Sequence, residues 1–231
     1  MNFEQFCYGD PKADTLLLQM VDDHDLAVID REAAYIRELT GGQSFCMKAV
    51  KVHSWNQDLS PWPAEAVFGN EGFGEGAADT LDFLLKEVLE DPALYQRIFL
   101  GGYSLAGLFA LWAGYQTDVF HGTAAASPSV WFPHFTEYMQ THTIHTDSVY
   151  LSLGDREEKT RNPVMSQVGT AIRTAYTILR DAGKNCILEW NSGNHFKEPD
   201  LRTAKAFAWL MNAAAPYSLL NENSQNLHKN Y

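Results

Sequence analysis

Ser104 stands in the stretch Gly101-Gly102-Tyr103-Ser104-Leu105-Ala106-Gly107, after the apolar run Arg97 to Tyr103 and before a segment of helical periodicity. A serine hydroxyl is a weak nucleophile until a neighbouring base takes its proton, and that base needs an acid to fix its tautomer. A sharp strand-to-helix turn lifts such a serine clear of a sheet, and the turn requires small residues two before and two after it. Gly102 and Ala106 hold those places, giving G-x-S-x-A where G-x-S-x-G is commoner. The partners follow from chain order, which around this turn runs serine, acid, histidine. Six histidines follow Ser104, and only His195 lies in a loop, "NSGNHF", between a strand-like run and the last amphipathic segment. His195 is the expected base. His142 and His145 form an HxxH with no further ligands nearby, so they read as surface polar residues and no metal site is expected.

The acid should follow the run Val149 to Gly154, where Asp155, Glu157 and Glu158 compete. Glu157 is preferred because the acid in sheets of this kind often stands three residues after the glycine that ends the strand; Asp155 is the runner-up. Negative charge developing on a substrate oxygen needs backbone N–H donors, and the residue after the nucleophile, Leu105, opens a helix whose dipole favours an anion. A second N–H should come from the loop after an early strand, "VDDHDL", which makes Asp23 the expected donor, with Asp22 close behind. The same acids would also serve as caps for the helix that follows.

The elements that must hold these groups are legible as alternating patterns. Strand-length apolar runs occur at Thr15 to Val21, Phe45 to Val52, Arg97 to Tyr103, Gly122 to Ser127, Val149 to Gly154 and Cys186 to Trp190. Several are too continuous to be half exposed, as expected of strands covered on both faces. Segments of helical period lie between them, at Ala27 to Leu39, Glu75 to Leu89, Leu105 to Tyr115, Pro163 to Asp181 and Pro199 to Met211. Such alternation predicts an α/β fold: a mostly parallel sheet of about six strands with helices on both faces. The longest irregular piece, His53 to Gly74, carries two tryptophans and two prolines, and loops of that length are usually functional or mobile.

With 231 residues, 45% of them hydrophobic, the chain is long enough for one sizeable core, and a single domain spanning residues 1–231 is expected, with 214–231 as a polar surface tail. The formal charge of −12 disfavours nucleic acid and anionic membrane surfaces as partners. Cys7, Cys46 and Cys186 are odd in number and lack CxxC spacing, which argues against a disulfide framework or a zinc site and for a reducing, cytoplasmic setting. The N-terminal stretch does not read as a signal peptide, and no apolar run approaches the ~18 residues of a membrane span.

Five stretches, "DLSPWP", "FGNEGFGEGAADTLDFLLKEVL", "GGYSLAGLFALW", "SPSVWF" and "GNHF", resemble in sequence and order the putative-esterase branch of the α/β-hydrolases, which includes esterase D-like and enterochelin-esterase-like proteins. The resemblance runs from about Leu16 to Met211. It implies the α/β-hydrolase fold, Ser104 as nucleophile, His195 as base, and a position near the substrate pocket for Trp55, Asn56 and Trp131. It further implies a cofactor-independent serine hydrolase acting on a small-molecule carboxylic ester through an acyl-enzyme, the alternatives being a thioesterase or acyltransferase using the same three residues, or a non-catalytic binding protein of this fold. Ala106, in place of the usual glycine, is a departure from the family pattern.

Overall fold

The computed structural model describes residues 2–89 and 91–213; the expected surface tail, 214–231, lies outside them. The strands are β1 (Glu4–Gly9), β2 (Thr15–Val21), β3 (Cys46–Lys51), β4 (Arg97–Tyr103), β5 (Gly122–Ala126), β6 (Ser148–Gly154) and β7 (Asn185–Asn191). They form one seven-stranded sheet in the order β1-β3-β2-β4-β5-β6-β7, with every pairing parallel except that of β1 with β3. One strand more is present than the apolar runs predict. In β1 half-buried Phe6 and Tyr8 alternate with exposed Gln5 and Cys7. An edge strand wetted on one face has no continuous apolar run to betray it.

The helices are α1 (Asp23–Leu26), α2 (Ile29–Leu39), α3 (Trp55–Asp58), α4 (Ala77–Phe83), α5 (Leu105–Ala113), α6 (Phe135–Thr141), α7 (Val168–Asp181) and α8 (Pro199–Ala213). Where the sequence predicts one helix from Ala27, a separate turn, α1, comes first because Asp22 caps it in a reciprocal capping box with Asp25. α4 runs on into a π-helical turn, Leu84–Val88.

Side-chain alternation sorts the helices onto two faces. Leu16, Leu18 and Met20 of β2 lie on the face of the sheet whose core includes α4, α5 and α7, whereas Leu17 and Val21 lie on the face whose core includes α2 and α8. Every residue of β2 is buried, Thr15 and Gln19 included, as expected of a strand covered on both faces. α5 is buried on all sides, which fits a helix that is apolar all round. From β2 the chain passes outward to β3 and then crosses back to β4 on the other side of β2. Successive connections diverge at that point, and the crevice at the carboxyl ends of β2 and β4 is where open α/β sheets bind ligands. Ser104 follows β4 directly.

Candidate active site

Ser104 has φ 57° and ψ −118°, a conformation that side chains other than glycine rarely adopt. Three backbone hydrogen bonds hold it there. Its N–H donates to the Ala126 carbonyl at 3.1 Å, and its carbonyl accepts from Leu108 and Ser129, each at 3.0 Å. The tightness of the turn accounts for the flanking residues: a Cβ placed on Gly102 would come 2.6 Å from the Cβ of Ala106. Glycine at the first position is what leaves room for alanine at the second.

The hydroxyl meets the imidazole that the loop after β7 supplies. Ser104 Oγ lies 3.0 Å from His195 Nε2 and 3.2 Å from the hydroxyl of Ser129. On the other side of the ring, His195 Nδ1 is 2.7 Å from Glu157 Oε2. The three carboxylates after β6 separate in space. The turn Glu157–Lys159 aims Glu157 inward, leaving its side chain only 4% exposed. Asp155 stays exposed and accepts the Gly193 N–H at 2.8 Å, while Glu158 pairs with Arg173 at 3.1 Å.

Oε1 of Glu157 is equally engaged. It accepts the Gly154 N–H at 2.7 Å, the Ser127 hydroxyl at 2.9 Å and Arg202 Nη1 at 2.8 Å. Burial pushes this carboxyl up, yet the hydrogen bonds and charge it meets, those of His195 foremost, outweigh burial and hold it below the ordinary glutamate value. Gly154 must approach closely to donate its N–H; a Cβ there would lie 2.9 Å from Glu157 Oε1 and 2.4 Å from the Gly193 carbonyl.

Arg202, on α8, was not among the residues the sequence singled out. It is wholly buried, and beyond Glu157 its Nη1 reaches the Tyr103 hydroxyl at 3.0 Å and the Ser127 hydroxyl at 3.2 Å. Its Nη2 donates to the carbonyls of Ser192 and Asn194, at 3.2 and 3.0 Å, in the loop that carries His195. The Tyr103 hydroxyl donates in turn to the His195 carbonyl at 2.7 Å, and burial, with the Glu157 charge nearby, pushes it up to about 12. One guanidinium thus ties the acid to the histidine loop. The signal was an arginine on the buried stripe of α8 beside Ala206, since an arginine there requires partners.

A recess of about 420 Å³ opens over Ser104. Trp55, Asn56 and Trp131 line it, together with Leu105, Phe68, Phe73, Met165 and Phe196, which are mostly apolar and come from segments far apart in sequence. The irregular stretch His53 to Gly74 supplies Trp55, Asn56, Phe68 and Phe73, so that loop is one wall of the recess. As the first residue of α5, Leu105 has an N–H without an intrahelical acceptor. Asp23 opens α1 after β2; its side chain pairs with Lys51 at 2.6 Å and does not line the recess. The Asp22 N–H goes to Asp25 Oδ2 at 3.2 Å. His142 stacks on Tyr138, and among the described residues no cluster of histidine, cysteine and carboxylate side chains could hold a metal ion.

Comparison with solved structures settles the architecture. A siderophore hydrolase, EstA, from Aspergillus nidulans superposes with a TM-score of 0.66 at 21% identity, over 90% of this chain and 86% of that one. An IroE-like serine hydrolase from Shewanella oneidensis gives 0.73 at 17% identity, over 93% and 77%. This chain has the α/β-hydrolase fold. Within that fold, a Bacillus cereus carboxylesterase matches over 91% of this chain and 94% of its own, with a TM-score of 0.60 and 16% identity. No protein-family model and no curated protein matches the sequence.

Proposed function

We propose that the protein is a serine hydrolase that cleaves a carboxylic ester of a small molecule. The observation that carries this reading is the continuous chain Ser104 Oγ, His195, Glu157, with links of 3.0 and 2.7 Å, at the floor of an apolar recess. The solved structures of similar fold include proteins described as a siderophore hydrolase and a carboxylesterase, which agrees with it. Ser104 Oγ attacks the ester carbonyl as His195 Nε2 takes the hydroxyl proton, and Glu157 stabilises the imidazolium through Nδ1. The tetrahedral oxyanion is held by the Leu105 N–H at the start of α5. Asp23 is the expected second donor over Asp22, whose N–H is already bonded, although Asp23 stands outside the recess lining. Collapse of the adduct passes the proton to the leaving alcohol. Water, activated by the same imidazole, then releases the acid and restores Ser104.

Trp55, Asn56 and Trp131 serve in this reading as walls for the substrate, and no step calls for a cofactor or metal. Cys7, Cys46 and Cys186 are free thiols, and among the described residues no helix is long and apolar enough to cross a membrane; we place the protein in the cytoplasm on the strength of the thiols. The test is labelling by a fluorophosphonate probe together with turnover of 4-nitrophenyl butyrate, for the wild-type protein and for Ser104→Ala. Both signals are expected in the wild type and should vanish in the variant. A folded wild-type protein that neither takes the label nor turns over the ester would refute the reading in favour of a binding protein.

A further inference from the structure

A second recess, of about 280 Å³, adjoins the first and shares Trp131, Met165, His195 and Phe196 with it. Its far wall is the loop after β6, which contributes Arg156 and Lys159. The loop reads Asp155-Arg156-Glu157-Glu158-Lys159, three carboxylates against two cations, which by sequence would leave it net negative. The fold undoes that balance. Asp155 is turned to the Gly193 N–H, Glu157 to His195 and Arg202, and Glu158 to Arg173 on α7. Among the described residues no carboxylate pairs with Arg156 or Lys159. Among the described residues Glu157 is the one carboxylate lining this recess, and buried Arg202 balances its charge.

The loop is also fixed in place. The Arg156 N–H donates to the Gly193 carbonyl at 3.1 Å and the Lys159 N–H to the Arg156 carbonyl at 3.2 Å. Two cations without counter-ions among the described residues therefore border a cleft that reaches His195, in a chain whose formal charge is −12. A low-dielectric wall such as Trp131 strengthens their attraction for an anion entering between them.

We propose that this second recess is an anion subsite, so that the ester substrate carries a carboxylate on the side opposite its apolar portion. The aromatic recess takes the apolar part, and Arg156 and Lys159 take the carboxylate. This rests on the serine-hydrolase reading for its chemistry, and the experiment separates the two. The probes are matched pairs: 4-nitrophenyl hydrogen suberate against its neutral methyl ester, and 4-acetoxybenzoate against methyl 4-acetoxybenzoate, placing the charge on the acyl or the alcohol side. The wild type should prefer the anionic member of one pair in kcat/KM. Arg156→Glu/Lys159→Glu should lower that anionic-to-neutral ratio by about five- to tenfold, the scale on which two exposed charges together act. The same reversal at exposed Lys12 and Arg37 should leave the ratio alone.

Binding gives an arm that needs no turnover. Titrating Ser104→Ala with each probe and reading tryptophan fluorescence should show tighter binding of the anionic member, weakened by added salt and by the double reversal. Equal affinity for both members of each pair, or a ratio unmoved by the reversal, overturns the subsite. Absent labelling and turnover with anion-selective binding retained would overturn only the hydrolase reading.

Discussion

Replacing Arg202 by methionine isolates the contribution of the guanidinium that joins the acid to the histidine loop. The substitution keeps much of the side-chain volume and removes five hydrogen bonds, three from Nη1 and two from Nη2. Arg202 and Glu157 are 2% and 4% exposed, so the change leaves a carboxylate in the interior without its counter-ion. Breaking a buried pair from one side costs about 3–5 kcal/mol. At about 2–4 °C per kcal/mol for a chain of this size, the melting temperature should fall by about 6–20 °C. Arg202→Lys keeps a charge without the planar fork and should fall between the wild type and the methionine variant. In turnover of 4-nitrophenyl butyrate at a temperature where both variants are folded, kcat should drop about tenfold or more while KM changes less than about threefold. The carbonyls of Ser192 and Asn194 lose their donor, so the imbalance falls on the placement of His195 rather than on substrate contacts. A melting temperature lowered by less than about 2 °C, or a kcat loss no larger than the unfolded fraction, would refute this account of Arg202 as a positioning residue.

Glu157→Gln should depress kcat by about 10³–10⁴, the scale on which loss of an orienting carboxylate acts, whereas Asp155→Asn, whose side chain can still accept the Gly193 N–H, should change it little. Steady-state kinetics on folded variants decides between them, and the reverse pattern transfers the role to Asp155. Gly102→Ala should destabilise by about 1–3 kcal/mol in urea denaturation, because its methyl group would sit 2.6 Å from that of Ala106, and Gly102→Ala/Ala106→Gly should recover part of the loss. Asp25 supplies a pH test: burial, helped by the Asp22 charge, pushes it up to about 7, above the ~3.9 of an unfolded chain. Between those values the native state holds the extra proton, so stability contributed by this group falls as pH rises from about 4 to 7. Asp25→Asn should therefore raise the urea midpoint at pH 8 and leave it nearly unchanged at pH 4; an equal effect at both would remove Asp25 as the cause.

The sequence by itself determined the alternation of strands and helices, because local periodicity reports which faces each segment buries. β2 and β4 have the bounds that their apolar runs predict, and Ser104 falls at the turn that its flanking small residues require. His195 was legible for a similar reason, lying in the one loop that the chain order left for a base. Which carboxylate meets the imidazole is a different kind of question. Asp155, Glu157 and Glu158 lie within four positions and share one chemistry, so composition and spacing leave them close to equivalent. A single turn after β6 separates them, sending Asp155 to the surface, Glu157 inward and Glu158 to α7. Arg202, Phe68, Met165 and Phe196 come into the site only when the sheet closes its order, and the edge strand β1 is held by pairing with β3 rather than by its own pattern. The contacts that join Ser104, Glu157, His195 and Arg202 span 38, 91 and 45 residues. Local sequence encodes burial over a few residues, whereas meetings at such separations are set by how the strands are ordered and which way each connection crosses, and that information resides in the tertiary structure alone.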